Sequence, residues 1–132
     1  MLWFKKDNPH KAIEWVLRIA VAGEFLGHGI FALQQKASWI PYFESVGISA
    51  GNAPGLMTLI GLMDILMVLL VLFWPIRIAI LWMAVWGFWT ALLRWVAGEP
   101  IWDFVERWAN WGAPLALLML RGWPKKRSDW FR

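Results

Sequence analysis

The chain has no cysteine, one tyrosine and only two histidines among its 132 residues. Without thiols, disulfide exchange, thiolate metal sites and iron–sulfur clusters are excluded, and so is quinone reduction by a reactive cysteine. The two histidines offer little to a haem. His10 and His28 would stand about 27 Å apart on one helix, too far to ligate a single iron. Charge is scarce as well, at 17% of residues against roughly 25% in an ordinary soluble domain. No small-x-small cleavage pattern follows the first apolar run, whose centre carries Glu24 and His28, so that run reads as a permanent helix.

What the chain has in abundance is apolar surface. It is 60% hydrophobic, and its mean hydropathy of +0.51 places it with membrane proteins. Four apolar stretches stand out, at about 12–33, 55–74, 76–97 and 102–121. Each is near the roughly 20 residues a spanning helix needs. Pro75 separates the second from the third, and Gly98-Glu99-Pro100 separates the third from the fourth. Only 34–54 is a sizeable loop, and its Trp39, Tyr42 and Phe43 suit a short helix lying at the headgroup level. The expectation is an all-α, integral membrane four-helix bundle forming a single domain over 1–132.

The net charge of +4 gathers at the ends, in Lys5, Lys6 and Lys11 and again in Arg121, Lys125, Lys126, Arg127 and Arg132. Basic clusters flanking apolar spans are topology signals and lipid-headgroup contacts rather than a nucleic-acid surface. With an even number of spans, both termini are expected on the cytoplasmic side of a bacterial-type inner membrane. Twelve of the 13 tryptophans sort in the same frame. Trp3, Trp15, Trp74, Trp123 and Trp130 fall near the inner interface, and Trp39, Trp95, Trp102 and Trp108 near the outer one. Trp82, Trp86 and Trp89 are deeper and share a helix face. They either pack against helices and lipid or, at Trp86 and Trp89, stack on an aromatic ligand.

Against this background the ionisable residues inside the apolar runs carry the functional signal. Arg18, Glu24, Asp64, Arg94, Glu106 and Arg107 would each cost roughly 2.5–3.5 kcal/mol at a helix centre if unpaired, on the order of 15–20 kcal/mol together. They are therefore expected to face one another across spans, in a polar pocket shared with His28 and Asn110. Glu24 and His28 lie on one face at i, i+4. Asp64 falls mid-span, with Gly61 one turn earlier to let a neighbour approach. Met83, Gly87, Thr90 and Arg94 form one stripe. Pro114 has no N–H for the carbonyl of Asn110, which leaves that acceptor free. Local alternatives stand beside this reading: Arg18 can pair with Glu14 one turn away, and Asp103 with Arg107.

Three segments, GEFLGHGIFALQQK (23–36), GLMTLIGLMDILMVLL (55–70) and FVERWANWGAPLALLML (104–120), resemble the DoxX family of small four-helix membrane proteins. The resemblance spans nearly the whole chain. It implies a helical bundle whose members include the small membrane subunit of a thiosulfate:quinone oxidoreductase, working alongside a separate catalytic partner. On that basis the expected function is an accessory or ligand-binding subunit linked to quinone redox chemistry. His28 and Glu24 would supply a proton, and Arg94, Arg107 or Asn110 would hold an oxygen. Two other readings remain open: a non-enzymatic assembly or chaperone protein whose charges only fix helix pairing, and a small proton-coupled carrier. Gly23, Gly27 and Gly87 also allow close contact with a second copy.

Overall fold

A computed structural model describes residues 8–132; Trp3, Lys5 and Lys6 lie outside the described residues. Among the described residues the chain is helical, with no strand. Helix α1 spans Pro9–Leu33. The Asn8 side chain accepts from the amide of Lys11 at 3.1 Å and Pro9 occupies the first turn, where its missing N–H costs nothing. A short 3-10 turn, Ala37–Trp39, leads into α2, Ile40–Glu44. Helix α3 covers Ala53–Phe73 and opens with Pro54 in its first turn. Pro75 separates it from α4, Arg77–Val96. Gly98, at φ +97°, makes the turn that a side chain would resist and leads to α5, Ile101–Val105. Helix α6, Ala109–Leu120, and a 3-10 turn at Arg127–Phe131 complete the chain.

Helices α1, α3 and α4 are long and apolar enough to cross a membrane. The 21 residues of α3 rise about 31 Å, close to the hydrocarbon thickness of a bilayer. Their outward faces carry bare Ile13, Val16, Ile19, Leu59, Leu62, Leu66 and Leu69. Phe73 is 79% exposed. Such a continuous apolar surface suits lipid and would be a liability in water. The interior is closed by Val21 and Phe25 of α1, Met67 and Val71 of α3, Ile80 and Met83 of α4, and Leu117 and Leu118 of α6.

The stretch 102–121 is not one helix. It divides at Glu106–Trp108, where the amides of Arg107 and Trp108 bond three residues back, to Phe104 and Val105, instead of four. The carbonyl of Asp103, which would accept the fourth-residue bond, instead takes Arg107 Nη1 at 2.7 Å. An arginine head folded onto its own helix thus competes with the ladder and tightens it into a hinge.

Two close crossings set the packing. Where α1 meets α3, a Cβ on Gly29 would lie 3.0 Å from Cβ of Asp64, and one on Gly61 2.7 Å from the Leu33 side chain. Where α4 meets α6, a Cβ on Gly87 would fall 2.2 Å from the carbonyl oxygen of Asn110. The acceptor left open by Pro114 is therefore not turned into a polar cavity. It rests on the bare Cα of Gly87, where a weak C–H···O contact is the available partner.

The halves α1–α3 and α4–α6 are built alike. Each runs long helix, short helix, then a further helix, and each first helix sends an arginine to the carbonyl end of the last. Arg18 donates Nε to the carbonyl of Val71 at 2.8 Å and Nη2 to that of Leu72. Arg77 donates Nε to Gly122 at 2.7 Å and Nη2 to Arg121. The same number of positions separates Arg18 from Arg77 as separates Pro41 from Pro100. Helix ends leave carbonyls unpaired and carry partial negative charge, so a guanidinium there satisfies both demands at once.

Candidate functional site

The expected neutralisation of charges across spans is not what forms. The ion pairs among the described residues are Arg18 with Glu14 on the same helix at 3.8 Å, Arg107 with its neighbour Glu106 at 2.6 Å, and Arg121 with Glu14 at 2.5 Å. Only the last joins separate helices, and it lies outside the six. Arg18 is absorbed by the end of α3 and by the face of Trp15, 3.9 Å from its guanidinium. Arg107 turns to Glu106 and to the Asp103 backbone, not to the Asp103 carboxylate. Arg18 is satisfied by backbone carbonyls of another helix and Arg107 by its own helix and its neighbour, because a long, flexible arginine reaches such groups without any helix having to move.

A different constellation does form. A cavity of about 150 Å³ opens between α1, the 37–48 segment, α3 and α4. Helix α1 contributes His28; α3 contributes Leu56, Ile60 and Asp64; and α4 contributes Trp86, Trp89, Thr90, Leu93 and Arg94. The segment after α1 closes the remaining side with Trp39, Tyr42, Phe43, Val46 and Ile48. Helical spacing explains the α4 wall. Trp86, Thr90 and Arg94 recur every fourth residue, and Trp89 and Leu93 flank them. Trp86 is held in place by stacking on Trp82, with centroids 5.6 Å apart and planes 20° apart. The Thr90 hydroxyl donates to the carbonyl of Trp86 at 2.9 Å.

Of the residues named from sequence, His28, Asp64, Arg94, Trp86 and Trp89 line this cavity. Arg18, Glu24, Glu106, Arg107 and Asn110 do not. Glu24 shares the α1 face of His28 and is close enough to Asp64 for their charges to interact, but it stays outside the walls. Glu106 is exposed on the hinge, and it is the backbone carbonyl of Asn110 that meets Gly87. Trp39, Tyr42 and Phe43, expected at the headgroup level, are walls of the site. Val46, Ile48, Leu56 and Ile60 had no functional signal at all. For Val46 and Ile48 the hint was apolar residues in a loop too long for a simple connection; Leu56 and Ile60 are two of many apolar residues on α3.

Two polar groups of the site are unusual. Asp64 is 1% exposed, and its Oδ1 has no hydrogen-bond partner. Arg94 donates Nη1 to the hydroxyl of Tyr42 at 2.7 Å, yet its buried Nε has no partner. Buried polar atoms are nearly always satisfied, and each exception costs about 1–3 kcal/mol. Asp64 and Arg94 both belong to the walls of this cavity, while Trp111 Nε1 and Arg121 Nε, likewise buried without a partner, lie away from it.

The Tyr42 hydroxyl in turn donates to Glu99 Oε1 at 2.5 Å, so Arg94, Tyr42 and Glu99 tie α4, α2 and the turn before α5 into one chain. Burial, followed by the bond to Glu99, pushes the Tyr42 phenol above its usual range. His28 leans on Trp39, ring centroids 6.0 Å apart, and Phe31 meets Trp39 edge-on at 5.9 Å. The 37–44 segment is therefore fastened over the cavity at both ends. Among the described residues no group of three His, Asp or Glu side chains converges as a metal site would require.

Comparison with protein-family models, with curated proteins and with solved structures finds no match to the chain. The site must be read from its own chemistry.

Proposed function

We propose that the protein is a multi-pass inner-membrane protein of DoxX character that holds the ring of a lipophilic molecule, a quinone headgroup, as an accessory subunit to a separate redox partner. In this reading α1, α3, α4 and the broken α5–α6 pair form a four-helix bundle, both termini are cytoplasmic, and 37–44 lies at the outer interface. The basic residues Lys11, Lys125, Lys126, Arg127 and Arg132 beside the chain ends support that orientation. The observation that carries the function is the aromatic cavity with Asp64 and Arg94 in its walls. Its volume of about 150 Å³ equals that of an engineered apolar cavity that takes one benzene ring. Trp86 and Trp89 offer faces for stacking, and Arg94 offers a donor for a ring oxygen. A polyprenyl tail would leave through the open side into lipid. With two distant histidines and no cysteine the chain brings no electron carrier, so electrons would come from the partner.

The test is titration of nanodisc-embedded protein with duroquinone, read by tryptophan fluorescence. A saturable quench is expected above the linear quench from quinone dissolved in lipid. Its amplitude should fall in the Trp86→Phe/Trp89→Phe double variant, which keeps Trp39 as the remaining tryptophan of the cavity wall, and its affinity should weaken roughly tenfold in Arg94→Met. Linear quenching alone, the same in all three proteins, would reject ring binding in this cavity.

A further inference from the structure

Arg77 opens α4 and gathers the C-terminal residues around it. Its backbone amide donates to the carbonyl of Arg132 at 3.2 Å. Its guanidinium donates to the carbonyls of Arg121, Gly122, Asp129 and Arg132. The ring of Trp123 meets that of Trp130 edge-on, with centroids 6.0 Å apart, and Pro124 is buried. The 3-10 turn is therefore fastened to the start of α4 and holds its side chains in one arrangement.

Four exposed cations stand on this segment: Lys125, Lys126, Arg127 and Arg132. Its one side-chain carboxylate, Asp129, is already engaged, with Oδ2 accepting from the amides of Lys125 and Lys126 at 3.2 Å each. The amide of Lys125 foremost holds that carboxyl below the usual aspartate range, so it stays charged. Glu14, the other carboxylate at this end of the bundle, is held by Arg121 at 2.5 Å. Among the described residues none of the four cations forms an ion pair. Four cations against one carboxylate leave three charges unmatched. Aromatic side chains fix the depth of these charges. Trp123 and Phe131 are exposed, and Phe73 and Trp74 are bare at the adjoining end of α3. Exposed aromatic rings at the end of a spanning helix mark the boundary between acyl chains and headgroups. The cations thus stand at the level of lipid phosphates.

We infer that the C-terminal turn is a binding surface for anionic phospholipid headgroups, with the cations on the phosphates and Trp123 and Phe131 seated at the acyl boundary. The inference needs the bilayer and does not depend on ring binding in the cavity. An acidic protein partner would also match the charge, but it gives no reason for bare indole and phenyl rings among the cations, and a bilayer does. Zwitterionic headgroups present the same phosphate together with a cation of their own, so the surface selects by net headgroup charge. One unmatched cation at a membrane surface is worth about fivefold in association with anionic lipid.

The experiment places the full chain in phosphatidylcholine bilayers and measures the motionally restricted fraction of spin-labelled lipid by electron paramagnetic resonance. Spin-labelled phosphatidylglycerol should associate at least roughly fivefold more strongly than spin-labelled phosphatidylcholine. The Lys125→Gln/Lys126→Gln/Arg127→Gln variant leaves only Arg132 against Asp129, and its preference should fall to near parity. Lys126→Gln and Ser49→Glu each lower the net charge by one, at opposite ends of the bundle, and only the first should weaken the preference. Equal association of the two lipids with the unaltered protein overturns the inference. A preference that survives the triple variant, with circular dichroism unchanged, also overturns it and leaves the basic turn to an acidic protein partner. Equal weakening by Ser49→Glu and Lys126→Gln overturns it too, because overall charge and not this surface would then set the preference. None of these residues lines the cavity, so each result leaves ring binding to its own titration.

Discussion

Replacing Gly87 by alanine tests the packing that holds the cavity's α4 wall. The added Cβ would sit 2.2 Å from the Asn110 carbonyl oxygen and 2.8 Å from its carbon. Both are backbone atoms, so no rotamer change relieves the overlap. Either α4 and α6 separate or the Asn110 peptide tilts away. Overpacking of this kind costs about 1–3 kcal/mol, while replacing a helical glycine by alanine returns at most roughly 1 kcal/mol of propensity. With that gain returned in full the loss is up to about 2 kcal/mol against the parent, and about 1–3 kcal/mol against a glycine-to-alanine change made in open space. Gly23→Ala is the control, because its Cβ would meet nothing within 4 Å and only the propensity gain applies. Reversible denaturant unfolding in mild detergent, followed by far-UV circular dichroism, should place Gly87→Ala below the parent and Gly23→Ala level with it or above. Equal stability of the two variants would refute the claim that the α4–α6 approach depends on a missing side chain.

Arg18→Met would leave the carbonyls of Val71 and Leu72 without their donor; with Val71 buried, a loss of about 2–4 kcal/mol is expected in the same unfolding assay. Wild-type stability in that variant would mean that the end of α3 finds other partners. The chain has one tyrosine, so absorbance near 295 nm reports Tyr42 alone. Its phenol is raised by burial and by the bond to Glu99. The group therefore contributes stability that is fully present below the usual tyrosine value near 10 and is lost as pH rises through the higher folded value. Tyrosinate should appear above pH 10 in the folded protein, and protection of 37–48 from proteolysis should fall over the same range. Titration at or below the free-tyrosine value would contradict the Arg94–Tyr42–Glu99 chain.

Much of the architecture was legible because it is local. Apolar run length marks three long helices, and Pro75 and Gly98 mark the turns that end the second and third of them, since a bilayer-crossing helix satisfies its backbone within itself and announces itself by composition. That Asp64 and Arg94 must be sheltered was legible too, because ionisable groups at those positions are expensive wherever they point. What pairs with what was not. Sequence counts charges but not distances, and a guanidinium reaching a carbonyl on another helix leaves no signature in composition. So Arg18 and Arg107, expected in a shared pocket, are consumed by helix ends and hinges. The break at Glu106–Trp108 depends on one arginine head folding back, and the role of Asn110 depends on which residue it happens to cross.

The sequence by itself determined that the chain is helical, lipid-compatible and burdened with polar groups it must shelter, because those properties follow from composition and from periodicity along one strand of residues. Tertiary structure alone decided which of those groups surround a cavity and which only close the fold. Residues as distant as Trp39, Asp64 and Arg94 become neighbours only when α1, α3 and α4 pack. Proximity in space is set by glycine crossings and side-chain reach, neither of which can be read along the chain.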